Sequence, residues 1–420
     1  MPAIVLYFHA HQPYRIKPYD IFSIGADNRY FHDSSSDRLD NPKILKKVAL
    51  KCYLPANQIL LELLQSHSDF KVSFSISGVL LDQLEEYYPE VLDSFRALVK
   101  TGRVELLNET YYHSLSVIYS DNEFREQASL HYDRLKQLFD YKPTAFRNTE
   151  LIYSNDIARK VFDLGFHTIL AEGVDRYLGW KSPNFIYHPK DLPDMRVLLK
   201  NYRLSDDIAF RFSEKSWVEY PLTADKYAHW INETNGNGYV MNLFMDYETF
   251  GEHQWADTGI FNFLSALPGE IKKHPDNSFM TVTEASQSFP VSDSIDYPDI
   301  TSWADVERDL SAWLSNPMQQ ESSKTLYALE SAVKKSQDIN LITDWRRLTT
   351  SDHFYYMCTK WFADGDVHKY FSPNHTPYEA FIHFMNVLHD LRLRVYAKKD
   401  PKKLSLKIHQ NQVKTSLSLM

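Results

Sequence analysis

Short apolar runs alternate with stretches of helical periodicity from residue 1 to residue 290, and few architectures accommodate that order. Sustained strand–helix alternation belongs to a parallel α/β fold. The runs predict strands over Ile4–Phe8, Val72–Ile76, Arg103–Leu107, Ala145–Arg147, Thr168–Leu170, Val197–Leu199, Val240–Phe244 and Phe279–Val282. Apolar residues at helical spacing predict helices over Ile44–Gln65, Pro89–Lys100, Asn122–Phe139, Asn155–Leu164, Asp225–Glu233 and Gly259–Leu267. Polar clusters follow several of these strands directly. In a β/α barrel the C-terminal strand ends gather on one face, where active sites are built.

Past this region the pattern changes. Pro290, Ser292, Asp293, Ser294, Pro298 and Ser302 read as a linker or loop over Phe289–Ser302. Helical patterning follows over Asp305–Leu314, Lys324–Lys335, Asp344–Phe362 and Pro377–Ala397. The expected organisation is a catalytic barrel at 1–290, a helical domain at 291–400 closing over one end of it, and a basic tail at 401–420 carrying Lys402, Lys403, Lys407 and Lys414.

Four clusters carry the chemistry. In Phe8-His9-Ala10-His11-Gln12-Pro13, alternation puts His9 and His11 on one side of the strand, as metal ligands, donors to sugar hydroxyls or packed histidines. The second cluster runs from Gly102 to Ser114. After its strand come Asn108, Glu109, Tyr111, Tyr112 and His113, a dense hydrogen-bonding edge. In the third, Arg147 precedes Glu150 by three residues, near enough to keep that carboxylate ionised or to make a structural ion pair with it. The fourth holds Asp246, Glu248 and Glu252 among Tyr247, Phe250, His253 and Trp255. Crowded carboxylates raise one another's pKa and help keep one protonated as a general acid. The aromatic flanks favour sugar over a cation cage.

Bulk properties narrow the partners. Aromatic residues make up 14% of the chain, fitting either an aromatic core or a sugar-stacking cleft. The net charge is −9, and nucleic-acid binding requires the opposite balance. Cys52 and Cys358 make no disulfide framework. Neither a signal-peptide pattern nor a membrane-length apolar run is present, so a cytoplasmic location is expected.

The four clusters, in this order, resemble the motifs of glycoside hydrolase family 57, α-amylase branch. His11-Gln12-Pro13 looks like the first motif, Gly102 to Ser114 the second, Phe146 to Tyr153 the third and Asp246 to Gly251 the fourth. Thr281 to Ala285 stands where the fifth is expected, with Glu284 as a candidate for the site's surroundings. Ser302-Trp303-Ala304-Asp305, Asp309–Leu314, Ser351–Met357 and Asp366–Pro373 extend the likeness through the second half. The resemblance implies an incomplete (β/α)7 barrel with a C-terminal helical domain, retention at the anomeric carbon, and no catalytic metal or cofactor. It places the nucleophile at Glu150 and the acid/base at Asp246. The sugar-binding candidates are His9, His11, Gln12, Glu109, Tyr112, His113, Arg147, Glu248, Phe250, His253, Trp255 and Trp303. Phe146 departs from the family's usual Trp, which puts a subsite in question. The expected substrate is an α-glucan or maltooligosaccharide. A 4-α-glucanotransferase using the same residues, a metal-dependent deacetylase or mannosidase-like hydrolase, and a non-catalytic glucan-binding protein are the alternatives.

Overall fold

The computed structural model describes residues 2–360 and 371–399. The 401–420 tail and the Asp366–Tyr370 part of the second-half likeness lie outside the described residues. Among the described residues two compact units emerge, one of residues 2–13 and 42–310, the other of 14–41, 311–360 and 371–399. The expected boundary at 290 therefore falls inside the first unit.

In the first unit, β1 (Ala3–Ala10), β2 (Val72–Ile76), β3 (Val104–Leu106), β8 (Val240–Asp246) and β9 (Ser278–Phe279) form one five-stranded sheet. A second contains β4 (Ala145–Arg147), β5 (Thr168–Glu172), β6 (Ile186–Pro189), β7 (Arg196–Lys200) and β10 (Val291–Ile295). The pairings are parallel, except that β6 runs antiparallel to β7. Asn108 joins the sheets: its N–H donates to Ala145 O and its carbonyl accepts from Arg147 N–H, both at 2.9 Å. The parallel strands thus run β8-β1-β2-β3-β4-β5-β7. Between β7 and β8 there is no ladder among the described residues. Asn201 N–H donates to Asn242 O, and the Asn242 amide donates to Leu199 O, each at 2.9 Å.

Alternation along the strands divides the core in two. Ile4, Leu6 and Phe8 join a large cluster with helices such as Leu54–Ser66, Gly78–Tyr87 and Pro89–Lys100. Val5, Tyr7, Leu107, Ala145, Leu170, Leu198 and Phe244 meet in a second cluster on the strands' other face. Strands read from the sequence mostly recur, with differences at the short and polar ones. Phe279–Val282 splits into β9 and a helix, Val282–Ser288, whose Thr281–Glu284 capping box ends the strand. The stretch read as a linker contains β10, which pairs with β6. The expected Asp305–Leu314 helix shrinks to Ser311–Leu314.

The regular structure of the second unit is mainly helical, with Pro317–Ala328, Glu330–Lys335, Ile339–Leu348 and Pro377–Lys399 its longest helices among the described residues. Segment 14–41 is tied in by Asp390, which accepts from Gly25 N–H at 2.6 Å and from the Tyr30 hydroxyl. None of the described helices is long and apolar enough to cross a membrane.

Candidate active site

The strand face that carries the second core cluster ends in polar side chains. Two residues beyond the last apolar one lie His9 after Tyr7, Glu109 after Leu107, Arg147 after Ala145, Glu172 after Leu170, Lys200 after Leu198 and Asp246 after Phe244. Ser75 occupies β2, level with His9. Acidic and basic groups alternate around this layer, which limits the cost of burying them.

One side of the layer is a continuous chain. Asp246 Oδ1 lies 3.5 Å from His9 Nδ1, and His9 Nε2 lies 3.5 Å from Glu109 Oε1. Glu109 Oε2 is 3.2 Å from His113 Nδ1, whose Nε2 is 2.9 Å from Glu150 Oε1. The His9 and His113 rings stack at 4.7 Å. Burial works to raise the Glu109 pKa, but His9 and His113 outweigh it and hold the carboxyl well below its ordinary value. Burial would lower His113; hydrogen bonds to Glu109 and Glu150 carry it up instead, to about 9.

Glu150 projects from a strained turn. It has φ 57°, Leu151 φ 51° and His113 φ 50°, all in the left-handed region that non-glycine residues seldom enter. The turn is held from outside: Tyr153 and Thr301 exchange backbone hydrogen bonds at 3.0 and 2.8 Å, and Trp303 N–H donates to Glu150 O at 3.2 Å. The Trp303 indole Nε1–H also donates to Glu150 Oε2 at 2.7 Å. Segment 301–303 is thus part of the site rather than a linker. Arg147, fully buried, reaches 3.4 Å from His9 Nε2 and from His113 Nδ1, and its guanidinium lies 5.0 Å from the Trp303 ring centre.

The two carboxylates of the Asp246–Glu248 segment differ sharply. Partial burial works to raise the Asp246 pKa, but its contact with His9 outweighs that and leaves it below the ordinary value. Burial, reinforced by the charge of Asp246, pushes Glu248 up to about 8. The carboxyl kept protonated in the free protein, by burial first and by the neighbouring Asp246 charge second, is therefore Glu248. It accepts from the Tyr53 hydroxyl and from His11 N–H, the latter at 3.1 Å, while His11 Nδ1 is 2.7 Å from Ser77 Oγ. Gly251 closes the segment at φ 111°, and a Cβ there would fall 1.9 Å from Lys51 O. Pro55 has no N–H to offer that carbonyl, and the surrounding helix widens over Ala49–Tyr53.

The other side of the layer was not anticipated from the sequence. Glu172 and Lys200, level on β5 and β7, lie 3.6 Å apart, with Asp206 2.9 Å from the Lys200 ammonium and Arg308 2.9 Å from Glu172. The Lys200 ammonium is 5.3 Å from the Trp303 ring centre. Strand alternation, carried one step past Leu170 and Leu198, would have found both residues.

The remaining candidates are distributed. Gln12 is buried, and its carbonyl accepts from Gln83 at 2.8 Å. The Tyr112 ring packs 5.0 Å from Tyr111. Burial lowers the His253 pKa against the pull of Asp246 and Glu252. Trp255 is 57% exposed beside Lys51. Phe250 belongs to the helix-side core, edge-on to Phe8 at 5.4 Å. Phe146 packs on the Phe124 and Phe166 rings, at 5.8 and 5.3 Å, so the departure at this position bears on core packing. Glu284 caps its own helix and pairs with Lys71.

His9, Glu109 and His113 bring ligand-type atoms within 4.8 Å of one another. The imidazole nitrogens that an ion would use there already face the Arg147 guanidinium. A divalent cation would have to displace a buried cation, so this donor set fits a metal poorly.

A family model for glycosyl hydrolase family 57 matches residues 5–298. The chain belongs to this family. A relative from Methanocaldococcus jannaschii, provisionally named an α-amylase, is 44% identical over 398 residues, 92% of this chain and 83% of its own. An α-amylase of Pyrococcus horikoshii is 27% identical over 129 residues, 31% of this chain and 20% of its own. Among solved structures, a family 57 branching enzyme from Thermococcus kodakaraensis aligns with TM-score 0.65 at 14% identity, over 95% of this chain and 91% of its own. An α-amylase from Thermotoga maritima aligns with TM-score 0.63 at 12% identity, over 96% of both chains. These two show a shared fold, and membership of the family makes the protein a carbohydrate-active enzyme.

Proposed function

We propose that this family 57 enzyme cleaves α-1,4-glucosidic bonds in starch, glycogen or maltooligosaccharides with retention, Glu150 acting as nucleophile and Asp246 as general acid/base. The observation that carries the reading is the unequal wiring of the two carboxylates. Glu150 accepts on both oxygens, from His113 and from Trp303, which keeps a nucleophile ionised and aimed. Asp246 has a long contact to His9 and a side chain 42% exposed, leaving it able to gain and lose a proton. Substrate covering Asp246 would strip its water and raise its pKa, readying it to protonate the departing glycosidic oxygen.

In the first step Glu150 bonds to the anomeric carbon while the C–O bond to the leaving chain breaks and Asp246 gives up its proton. In the second, Asp246 takes a proton from water, the oxygen bonds to the anomeric carbon, and the ester to Glu150 breaks. A glucan hydroxyl in place of water would give a transferred chain. The parallel strands are read as an incomplete seven-stranded barrel, open between β7 and β8. The poor fit of the His9, Glu109 and His113 set to a metal weighs against the deacetylase-like alternative. The two buried free cysteines suit a reducing cytoplasm.

The test is product chain length over time from maltoheptaose, with Glu150→Gln as control. Shorter products alone, absent in the control, would support a hydrolase. Longer products alongside them would show transfer by the same residues. No product from the wild-type enzyme would refute the reading.

A further inference from the structure

We infer that Lys200, held by Glu172 and Asp206, is a positioning residue that holds the Trp303 indole on the nucleophile. The inference rests on the proposed role of Glu150 for its catalytic consequence, though not for its geometry.

Trp303 comes from a loop and packs against the inner-face apolar cluster, but apolar packing alone does not fix which way an indole N–H points. Two buried cations lie over this ring, Arg147 at 5.0 Å and Lys200 at 5.3 Å. Each attracts the negative face of the indole, and the attraction grows where water is excluded. For Arg147 the ring is also a needed partner: its Nε and Nη2 are buried without a hydrogen-bond acceptor among the described residues. Lys200 is differently placed. Its ammonium is fixed by Glu172 and Asp206, at 3.6 and 2.9 Å, and both of these partners lie outside the proposed reacting pair. Burial works to lower its pKa, but these carboxylates outweigh it and raise it, so it remains a cation. Arg308, 2.9 Å from Glu172 and 3.9 Å from Asp206, completes the cluster. A buried charge group of this size is costly to assemble. The cluster meets the Trp303 ring, whose N–H is 2.7 Å from Glu150 Oε2. A cation over the ring face also draws electron density from the indole and strengthens that N–H as a donor.

The test reads Trp303 directly. Its indole N–H resonance is assigned by disappearance in Trp303→Phe and then followed in Lys200→Met. The wild-type signal should be downfield and slow to exchange with water, as for a donor bonded to a carboxylate. Lys200→Met should move it toward the free-indole position and speed exchange about tenfold or more. Removing equal and opposite charges, Glu172→Gln/Lys200→Met should keep the fold and show the same change. Steady-state kinetics on maltoheptaose should show kcat reduced by up to about tenfold, no more than in Trp303→Phe, with KM changed less than about twofold, because misplacement beside a nucleophile costs turnover more than binding. An unchanged resonance and exchange rate in both variants would overturn the inference, whatever the activity. Wild-type protein inert on glucan would sink the functional reading instead, and the resonance would still decide this one.

Discussion

On one side of the strand-end layer, His9, Glu109, His113 and Arg147 link or neighbour the two carboxylates proposed to react. On the other side, Glu172, Lys200, Asp206 and Arg308 pair with one another and approach the site over the Trp303 ring. Both sides start from the same device, the polar residue that follows the last apolar one on a strand's inner face, and add to it His113 on one side and Asp206 and Arg308 on the other. They differ in how near their charge lies to bond breaking. Direct contact should govern whether the reaction occurs; contact through an indole should govern how well it is aimed.

The comparison can be pressed hardest at the ends of the histidine chain. Glu150→Gln and Asp246→Asn should each lower kcat at least about 10³-fold. Asp246→Asn should leave glucan affinity, measured by calorimetry, largely intact. Affinity lost in step with turnover would count against its acid/base role. Glu109→Gln comes next, because it deprives two imidazoles of one shared carboxylate. A loss of about 10²-fold in kcat is expected, together with a His113 titration, read by NMR, moved down from about 9. Trp303→Phe keeps a ring for Arg147 and Lys200 but removes the donor to Glu150, and about a tenfold loss in kcat should follow. An effect as large as that of Glu109→Gln would erase the contrast between direct and indirect contact.

The smallest effect concerns stability. Glu248 is raised from 4.5 to about 8 on folding. The folded state therefore holds its proton more tightly than the unfolded chain does. Its stabilising contribution is full below the unfolded value and is lost as pH rises through about 8. The thermal midpoint should fall across that window, and Glu248→Gln should flatten the fall; an unchanged slope would place the titrating group elsewhere. Dialysis against EDTA should leave activity intact, and loss restored by zinc would show that a metal displaces Arg147 after all.

The direct side of the layer was legible because its residues come in dense runs: Phe8 to Pro13, Asn108 to His113, Arg147 to Glu150 and Asp246 to Trp255. Glu172 and Lys200 are isolated charges closing apolar strands, and reading those strands only to Leu170 and Leu199 left both outside. β10, Val291–Ile295, was hidden by its own composition. Its Ser and Asp residues suit a partly exposed edge strand as well as a loop. The Gly78–Tyr87 helix was missed because it opens on glycine, and the reason for that glycine is tertiary: a Cβ at Gly78 would lie 2.4 Å from the Tyr111 ring. Crowding among Asp246, Glu248 and Glu252 could be read from spacing. Which carboxyl stays protonated depended on the burial of Glu248 and on His9, far away in sequence, holding Asp246 ionised.

The pairing of Tyr153 with Thr301, and of Glu150 with Trp303, has a consequence for the order of events during synthesis. A ribosome releases the Glu150 turn long before the segment that braces it. Strands β1 to β5 can already be emerging while that turn lacks its clasp. The nascent enzyme should therefore stay silent until residue 303 clears the exit tunnel, and a gene fragment stopped at residue 298, where the family match ends, would encode the proposed reacting carboxylates without the brace that shapes one of them.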